Sequence, residues 1–423
     1  MVQPNFFYGW WVTLAFSVMV FLSSGIRFTV GPFLKPVVDE LDIDRASFSL
    51  VISLSLFLFG AFMPVVGRLV DRVGSRPVVI GGSLLLAGAL IGTGRATALW
   101  QLFLFYGVLV ALGLSTIGQV VSSAVVTRWF VKRRGAAVGV LSGASMAGMS
   151  FLVPVVMWLI LAYGWRHAYA LLGLSTLLTV LPLALWVVRD SPEEMGVYPD
   201  GQTRAGWEVG KSDETPAERT KLGDALQARS FWQIAGGLFT CGFSMSLLSA
   251  HGVPMLTDHG FHPMVAASAF GSLGGASIVG SVILGLLSDR FGRTPILSLI
   301  YLLRALAFTM LFLVRDPLML TVVAAIGGFG MAGSMGMSSA LTGDLFGRFS
   351  VGSIFGVIFL SHQTGAALGS WLAGFLFDLT GGYGAAFTVA CALLLVGATL
   401  SITIDERRQR APALTPARAV PEL

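Results

Sequence analysis

Apolar residues run in long blocks along this chain, and polar residues gather in short clusters between them. Twelve such blocks, at about 9–34, 49–69, 78–94, 100–126, 136–162, 168–188, 231–257, 264–288, 295–314, 318–342, 352–376 and 384–404, can be read off the sequence. Each is long enough to cross a hydrocarbon core of ~30 Å as a helix. One hydrophilic interval is much longer than the rest. It spans 189–229, is rich in Pro, Gly and charge, and reads as a tether, with a short amphipathic helix expected near Ala217–Ala228. The pattern therefore predicts an all-α membrane protein with 12 transmembrane helices in two six-helix bundles, 1–188 and 230–404, followed by a tail over 405–423.

Composition agrees with lipid as the main solvent. Hydrophobic residues make up 55% of the 423, charged residues 12%, and mean hydropathy is +0.80, too apolar for a soluble domain. The net charge of +5 does not indicate nucleic acid, because the charges are dispersed among the joints. Most Lys and Arg fall in alternate joints, the tether and the tail. Lys35, Arg45, Arg95, Arg166 and Arg315 lie in the opposite joints, and Arg27 and Arg304 lie within spans. The positive-inside rule then places both termini in the cytoplasm. Cys241 and Cys391 sit inside predicted spans, so neither a disulfide framework nor a metal set is expected. The N-terminus has no basic leader region or small-residue cleavage site, and its apolar run is read as the first span.

The joint after the second block reads GRLVDRVGSRP (67–77), and the joint after the eighth reads GLLSDRFGRTP (285–295), 218 residues on. A signature repeated at the same joint of two halves implies two related bundles. Gly67, Asp71, Arg72 and Arg76, with Gly285, Asp289, Arg290 and Arg293, form a candidate conformational latch, since an acid at a span end can accept hydrogen bonds from a neighbouring arginine or helix start. These stretches resemble the G-x-L-x-D-R-x-G-R-[RK] motif of the major facilitator superfamily, with Ser75 in place of an arginine. The resemblance implies a midplane cavity lined by helices 1, 4, 7 and 10 that opens alternately to the two sides.

Within that superfamily, FYGWWV (6–12), RWFVKRRGAAVGVLSGASMAG (128–148) and RFTVGPFLKPVVDELDIDRASFS (27–49) resemble the monocarboxylate porter family and its bacterial oxalate:formate exchanger relatives. The substrate-facing arginine common in helix 8 of that family is absent here, where Gly280 and Ser281 stand. Drug-exporter motifs are absent too: helix 4 carries Gln119, and helix 5 reads SGASMAGMSFLVP.

Arg27 shares a helical face with Val20, Ser23, Ser24 and Gly31, a small and polar stripe suited to a water-filled cavity. All the acids lie outside the spans or at their ends, whereas Arg27, His251 and His362 lie within them. A cavity of that sign prefers an anion, and one guanidinium matches one carboxylate. Arg27, Gln119, Ser142, Ser145, Ser281, His362 and Gln363 are the candidate substrate contacts. His251, with Asp258 two turns on and Pro254 between them, is the candidate proton-coupling pair. Arg304, in a helix that is peripheral by the resemblance, is assigned to structure or to lipid headgroups.

The expected function is secondary transport of a small monocarboxylate-like organic anion, by proton symport. Exchange without a proton and efflux of an amphipathic compound are the alternatives. A receptor without transport is disfavoured by the lack of a recognisable linker domain. No nucleophile–base pair, metal cluster or phosphate loop suggests an enzyme or a cofactor. The expected partners are a small organic acid, protons and the lipid bilayer, with no nucleic acid, and the chain is expected to be a monomer.

Overall fold

The structure is a computed structural model that describes residues 7–130, 133–201, 221–331, 333–346 and 351–405. Its helices are α1 (Gly9–Phe28, continued past Thr29 by Val30–Leu41), α2 (Arg45–Val73), α3 (Ser75–Gly94), α4 (Leu99–Trp129), α5 and α6 (together Arg134–Trp186) and α7 (Arg229–Asp258). Then come α8 (Pro263–Phe291), α9 (Arg293–Leu313), α10 (Pro317–Phe329 and Gly333–Phe346), α11 (Val351–Thr380) and α12 (Gly384–Ile402). A short helix, Leu222–Gln227, precedes α7; the expected amphipathic segment begins at 217, outside the described residues.

Among the described residues, ten stretches meet the length and apolarity of a membrane span. One of them, Gly135–Trp186, holds two of the expected blocks, because Gly164 (φ 80°, ψ 161°) turns the chain between α5 and α6. The expected eleventh block is α11, which carries a polar Ser361-His362-Gln363-Thr364 run at its middle.

The repeated joints turn on matching glycines. Gly74 (φ 87°, ψ 162°) and Gly292 (φ 93°, ψ 157°) join α2 to α3 and α8 to α9 in a conformation that L side chains avoid. In the first joint the Ser75 amide donates to Asp190 Oδ1 at 2.6 Å, which caps α3 from beyond α6.

Among the described residues two hydrophobic cores form, one mainly from α1–α6 and one mainly from α7–α12, the second also taking in Phe28 of α1 and Met149, Val153 and Met157 of α5. Close helix approach depends on missing side chains. A Cβ at Gly148 of α5 would sit 2.1 Å from the Phe21 carbonyl oxygen of α1, and one at Gly242 of α7 would sit 1.9 Å from the His362 carbonyl oxygen of α11.

The bundles meet along α2–α11 and α5–α8, and the contact runs out in one direction. A Cβ at Gly374 of α11 would lie 2.5 Å from Ser49 Oγ, and one at Gly60 of α2 would lie 2.7 Å from the Gln363 side chain. Seven residues further on the same faces, Gly67 of α2 and Gly356 of α11 have open space around them. On the second pair, Ser150 Oγ donates to the Gly271 carbonyl at 2.6 Å, whereas Gly143, seven residues back, and Gly285 on α8 are open. The bundles are thus clamped at the end that carries Arg45 and Tyr383. They part toward the end that carries the repeated joints.

Candidate functional site

The deep end of the cleft is organised by breaks in helices. Arg27 lies two residues before the interruption of α1 at Thr29. Across from it, α4 takes a wider π-helical turn over Phe103–Val110, which positions Tyr106, and breaks again at Gly118. Arg27 shares a small cavity with Tyr106, with Ser55, Ile52 and Leu56 of α2, and with Ser249 of α7. Its guanidinium carbon lies 5.3 Å from the Phe59 ring centroid. The arginine is half-buried, and neither it nor Tyr106 makes a hydrogen bond or ion pair with any described residue. A guanidinium held in an aromatic-walled cavity without an acid has its donors free for an anion.

The other candidate contacts are spread over helices of both bundles. Gln363 is fully buried and donates from Nε2 to the carbonyl of Leu56, a wall of the cavity, at 2.9 Å. His362 is equally buried, stacks on Phe359 and reaches Gln363 Oε1 from Nδ1 at 3.0 Å. Ser24 and Ser145 hydroxyls lie 2.7 Å apart between α1 and α5, and Gln119 donates to Ser142 at 3.1 Å between α4 and α5. None of Gln119, Ser142, Ser145, Ser281 or His362 lines the Arg27 cavity. Ser281 bonds only its own helix, at the Ile278 carbonyl, among the described residues. Sequence reading missed Tyr106, Ser55 and Ser249. Tyr106 stands among apolar neighbours and the two serines are each one of several in their blocks, so only the fold brings these three to Arg27.

His251 and Asp258 are joined through intermediaries, not directly. Asp258 ends α7 and receives Lys35 Nζ at 2.6 Å and Arg45 Nη1 at 2.7 Å, both from the first bundle. Arg45 Nη1 also donates to Tyr383 Oη at 2.7 Å, and its guanidinium carbon stands 3.8 Å from the Phe377 ring centroid. Burial pushes the Tyr383 phenol above its usual range, so it is a neutral hydroxyl. Tyr383 Oη is 3.2 Å from His251 Nδ1, while His251 Nε2 is 2.9 Å from the Ser370 carbonyl and 3.1 Å from Ser49 Oγ. A carbonyl only accepts, so Nε2 carries the hydrogen and Nδ1 receives one from Tyr383. The Ala46 amide, donating to Asp378 at 2.7 Å, completes the clamp.

The latch residues lie at the parted end, and Asp71, Arg76 and Arg293 pair within their own bundles. Asp71 accepts from Arg128 Nη2 at 3.0 Å, Arg76 donates to the Leu185 carbonyl, and Arg293 meets Asp344 at 2.9 Å. Arg72 and Arg290 end their helices, with Arg290 over Phe291, and the Asp289 side chain lies outside what the structure describes. Arg304 is not at the lipid boundary. It is buried inside the second bundle, where Nη2 donates to the Met331 and Gly330 carbonyls (2.8 and 3.3 Å) at the interruption of α10, and Nη1 reaches Cys241 Sγ at 3.1 Å. Among the described residues no cluster of His, Cys, Asp and Glu could hold a metal.

Two six-helix bundles clamped at one end around a polar cavity define a membrane transporter. The chain belongs to the Major Facilitator Superfamily, which residues 16–284 and 234–421 match. YcxA of Bacillus subtilis, an uncharacterized MFS-type transporter, is 27% identical to it over 94% of each chain. Monocarboxylate transporter 13 of Rattus norvegicus is 27% identical over 95% of this chain and 90% of its own. Among solved structures, a bacterial homolog of the human lysosomal transporter Spinster, in an inward-facing and unoccupied conformation, matches with a TM-score of 0.69 at 18% identity, over 95% of this chain and 94% of that one. That likeness establishes the fold alone.

Proposed function

We propose that the protein carries a small organic anion with one carboxylate across a bacterial inner membrane, together with a proton, by alternating access. The observation that carries this reading is Arg27: a guanidinium at the closed end of the cleft, beside Tyr106 and Ser55, with no acidic partner among the described residues. Its planar fork suits a carboxylate. Similarity to monocarboxylate transporters along nearly the whole chain supports the same cargo class. With the parted end cytoplasmic, as the Lys and Arg distribution argues, the cleft faces inward.

His251 supplies the proton site. A proton taken up at Nδ1 turns that nitrogen from acceptor to donor, facing a hydroxyl that already receives Arg45. It also adds a positive charge beside Arg45 inside the joint. Both effects loosen the clamp.

The test is a thermal-shift screen of monocarboxylates on purified protein, followed by equilibrium binding of the best one to Arg27→Lys and Arg27→Gln. Removing one partner of a desolvated charge pair costs about 3–5 kcal/mol, so Gln should weaken binding by roughly a hundredfold or more. Lys should weaken it less. Wild-type affinity in both folded variants removes the anion reading. In proteoliposomes, His251→Gln should bind the same acid but lose acceleration by a pH gradient; full acceleration excludes His251 as the proton carrier.

A further inference from the structure

The clamp has the form of a receptor already holding a carboxylate. Lys35 Nζ takes Oδ1 of Asp258, and Arg45 takes Oδ2 through Nη1 and leans on Oδ1 through Nη2 at 3.4 Å. Two cations therefore hold the two oxygens of one acid. The cations belong to the first bundle and the acid to the second. When this end opens, as alternating access requires, the bundles separate and Lys35 and Arg45 are left on one wall of the mouth without Asp258. Neighbouring acids are otherwise engaged: Glu40 accepts from Trp165 and Arg166, and Asp44 accepts the Ser47 amide at the start of α2.

We propose that Lys35 and Arg45 form a second, outer anion site that receives the carboxylate of the incoming cargo in the state open at this end. The cargo then takes the place of Asp258. This rests on the reading of the cargo as an anion and adds where it first binds. Cargo and gate compete for the same two cations, so a bound carboxylate holds the mouth open until it passes inward to Arg27. Its departure returns the cations to Asp258, and the end closes. The solvent-exposed Asp39 and Asp42 on the same segment lower the local potential without occupying the pair.

The experiment reads the potential at the mouth and does not depend on Arg27. A reporter, Val38→Cys, lies one turn from Lys35, and the wild-type chain with Cys241 and Cys391 sets the background. In the Asp258→Asn chain, which has lost the gate acid, the anionic sulfonatoethyl methanethiosulfonate should label the reporter severalfold faster than the cationic trimethylammonioethyl reagent. Adding Lys35→Gln or Arg45→Gln should abolish that preference. At constant ionic strength, acetate, pyruvate or L-lactate should slow labelling more than chloride does, and should do so in Arg27→Gln as well. A charge preference indifferent to Lys35 and Arg45 would overturn the proposal, and so would protection by chloride equal to that by every carboxylate. Because protection is read in Arg27→Gln too, a failure of the deep site leaves this outcome unchanged. Monodisperse gel filtration of each variant confirms folding.

Discussion

At the scale of single residues, the same chemistry has different consequences according to partner and depth. Arg27 and Arg304 are both guanidiniums inside spans, but Arg304 spends donors on carbonyls, hydroxyls and a thiol, and Arg27 spends none on any described residue. Glu40 shows what an acid does when it is paired at the surface. Its two oxygens accept from Arg166 Nε (2.8 Å) and Trp165 Nε1 (2.5 Å), and the arginine hydrogen bond, helped by the tryptophan, holds the carboxyl below its ordinary 4.5. A depressed folded-state pKa means stability that is complete above the unfolded value and lost as pH falls through the folded one. Glu40→Gln should therefore lower Tm slightly at pH 7, in line with about 0–1 kcal/mol for an exposed pair. The difference between variant and wild type should close as pH falls below 4.5. Thermal unfolding across pH 3–7 reads this, and a constant difference would assign Glu40 a role in packing instead.

At the scale of helices, the interruptions matter more than the spans. α10 breaks between Phe329 and Gly333, and Arg304 of α9 supplies the hydrogen bonds that the broken ladder lacks at Gly330 and Met331. Arg304→Leu leaves the Gly330 carbonyl without its side-chain donor and the Met331 carbonyl with only the long Ser334 hydroxyl contact at 3.5 Å, at about 1–3 kcal/mol for an unsatisfied group, and should lower Tm by several degrees. Arg304→Lys should recover only part, because one ammonium cannot copy the fork. Equal Tm for Leu and wild type would mean that α10 rewinds or that water substitutes. The spans themselves were legible in the sequence because lipid demands a long apolar block for each. The interruptions were not, since Phe329 to Gly333 carries no proline and reads as one small-residue run. The repeated joints were legible as a shared signature, but the glycines singled out in it, Gly67 and Gly285, face open space, and the residues that turn the chain are Gly74 and Gly292, at equivalent positions in both halves.

At the scale of the whole molecule, the division between bundles could be read from the repeat and the tether, but the clamp could not. Arg45, His251 and Tyr383 come from three distant segments, and no spacing links them. The spacing that linked His251 to Asp258 found the two ends of a chain whose middle members lie elsewhere. What the fold adds is a hinge line, and α2–α11 locates it. A Cβ built on Gly60 lies 3.0 Å from Gln363 Cβ, slightly inside the separation of about 3.5–4.5 Å that a disulfide spans. Gly67 and Gly356, one step further along the same two faces, meet nothing. Gly60→Cys with Gln363→Cys should therefore cross-link readily under mild oxidation in protein without cargo and stop transport, with recovery on reduction. Gly67→Cys with Gly356→Cys should remain uncrosslinked in that state and begin to cross-link when Asp258→Asn releases the clamp, because alternating access closes this end as the other opens. Both pairs would be followed by the shift in gel mobility before and after reductant. If Asp258→Asn leaves the 67–356 pair apart while the 60–363 pair still closes fully, the ion cluster at Asp258 does not set the balance between the two states, and the clamp resides in the remaining contacts of α2 with α11 and of α5 with α8.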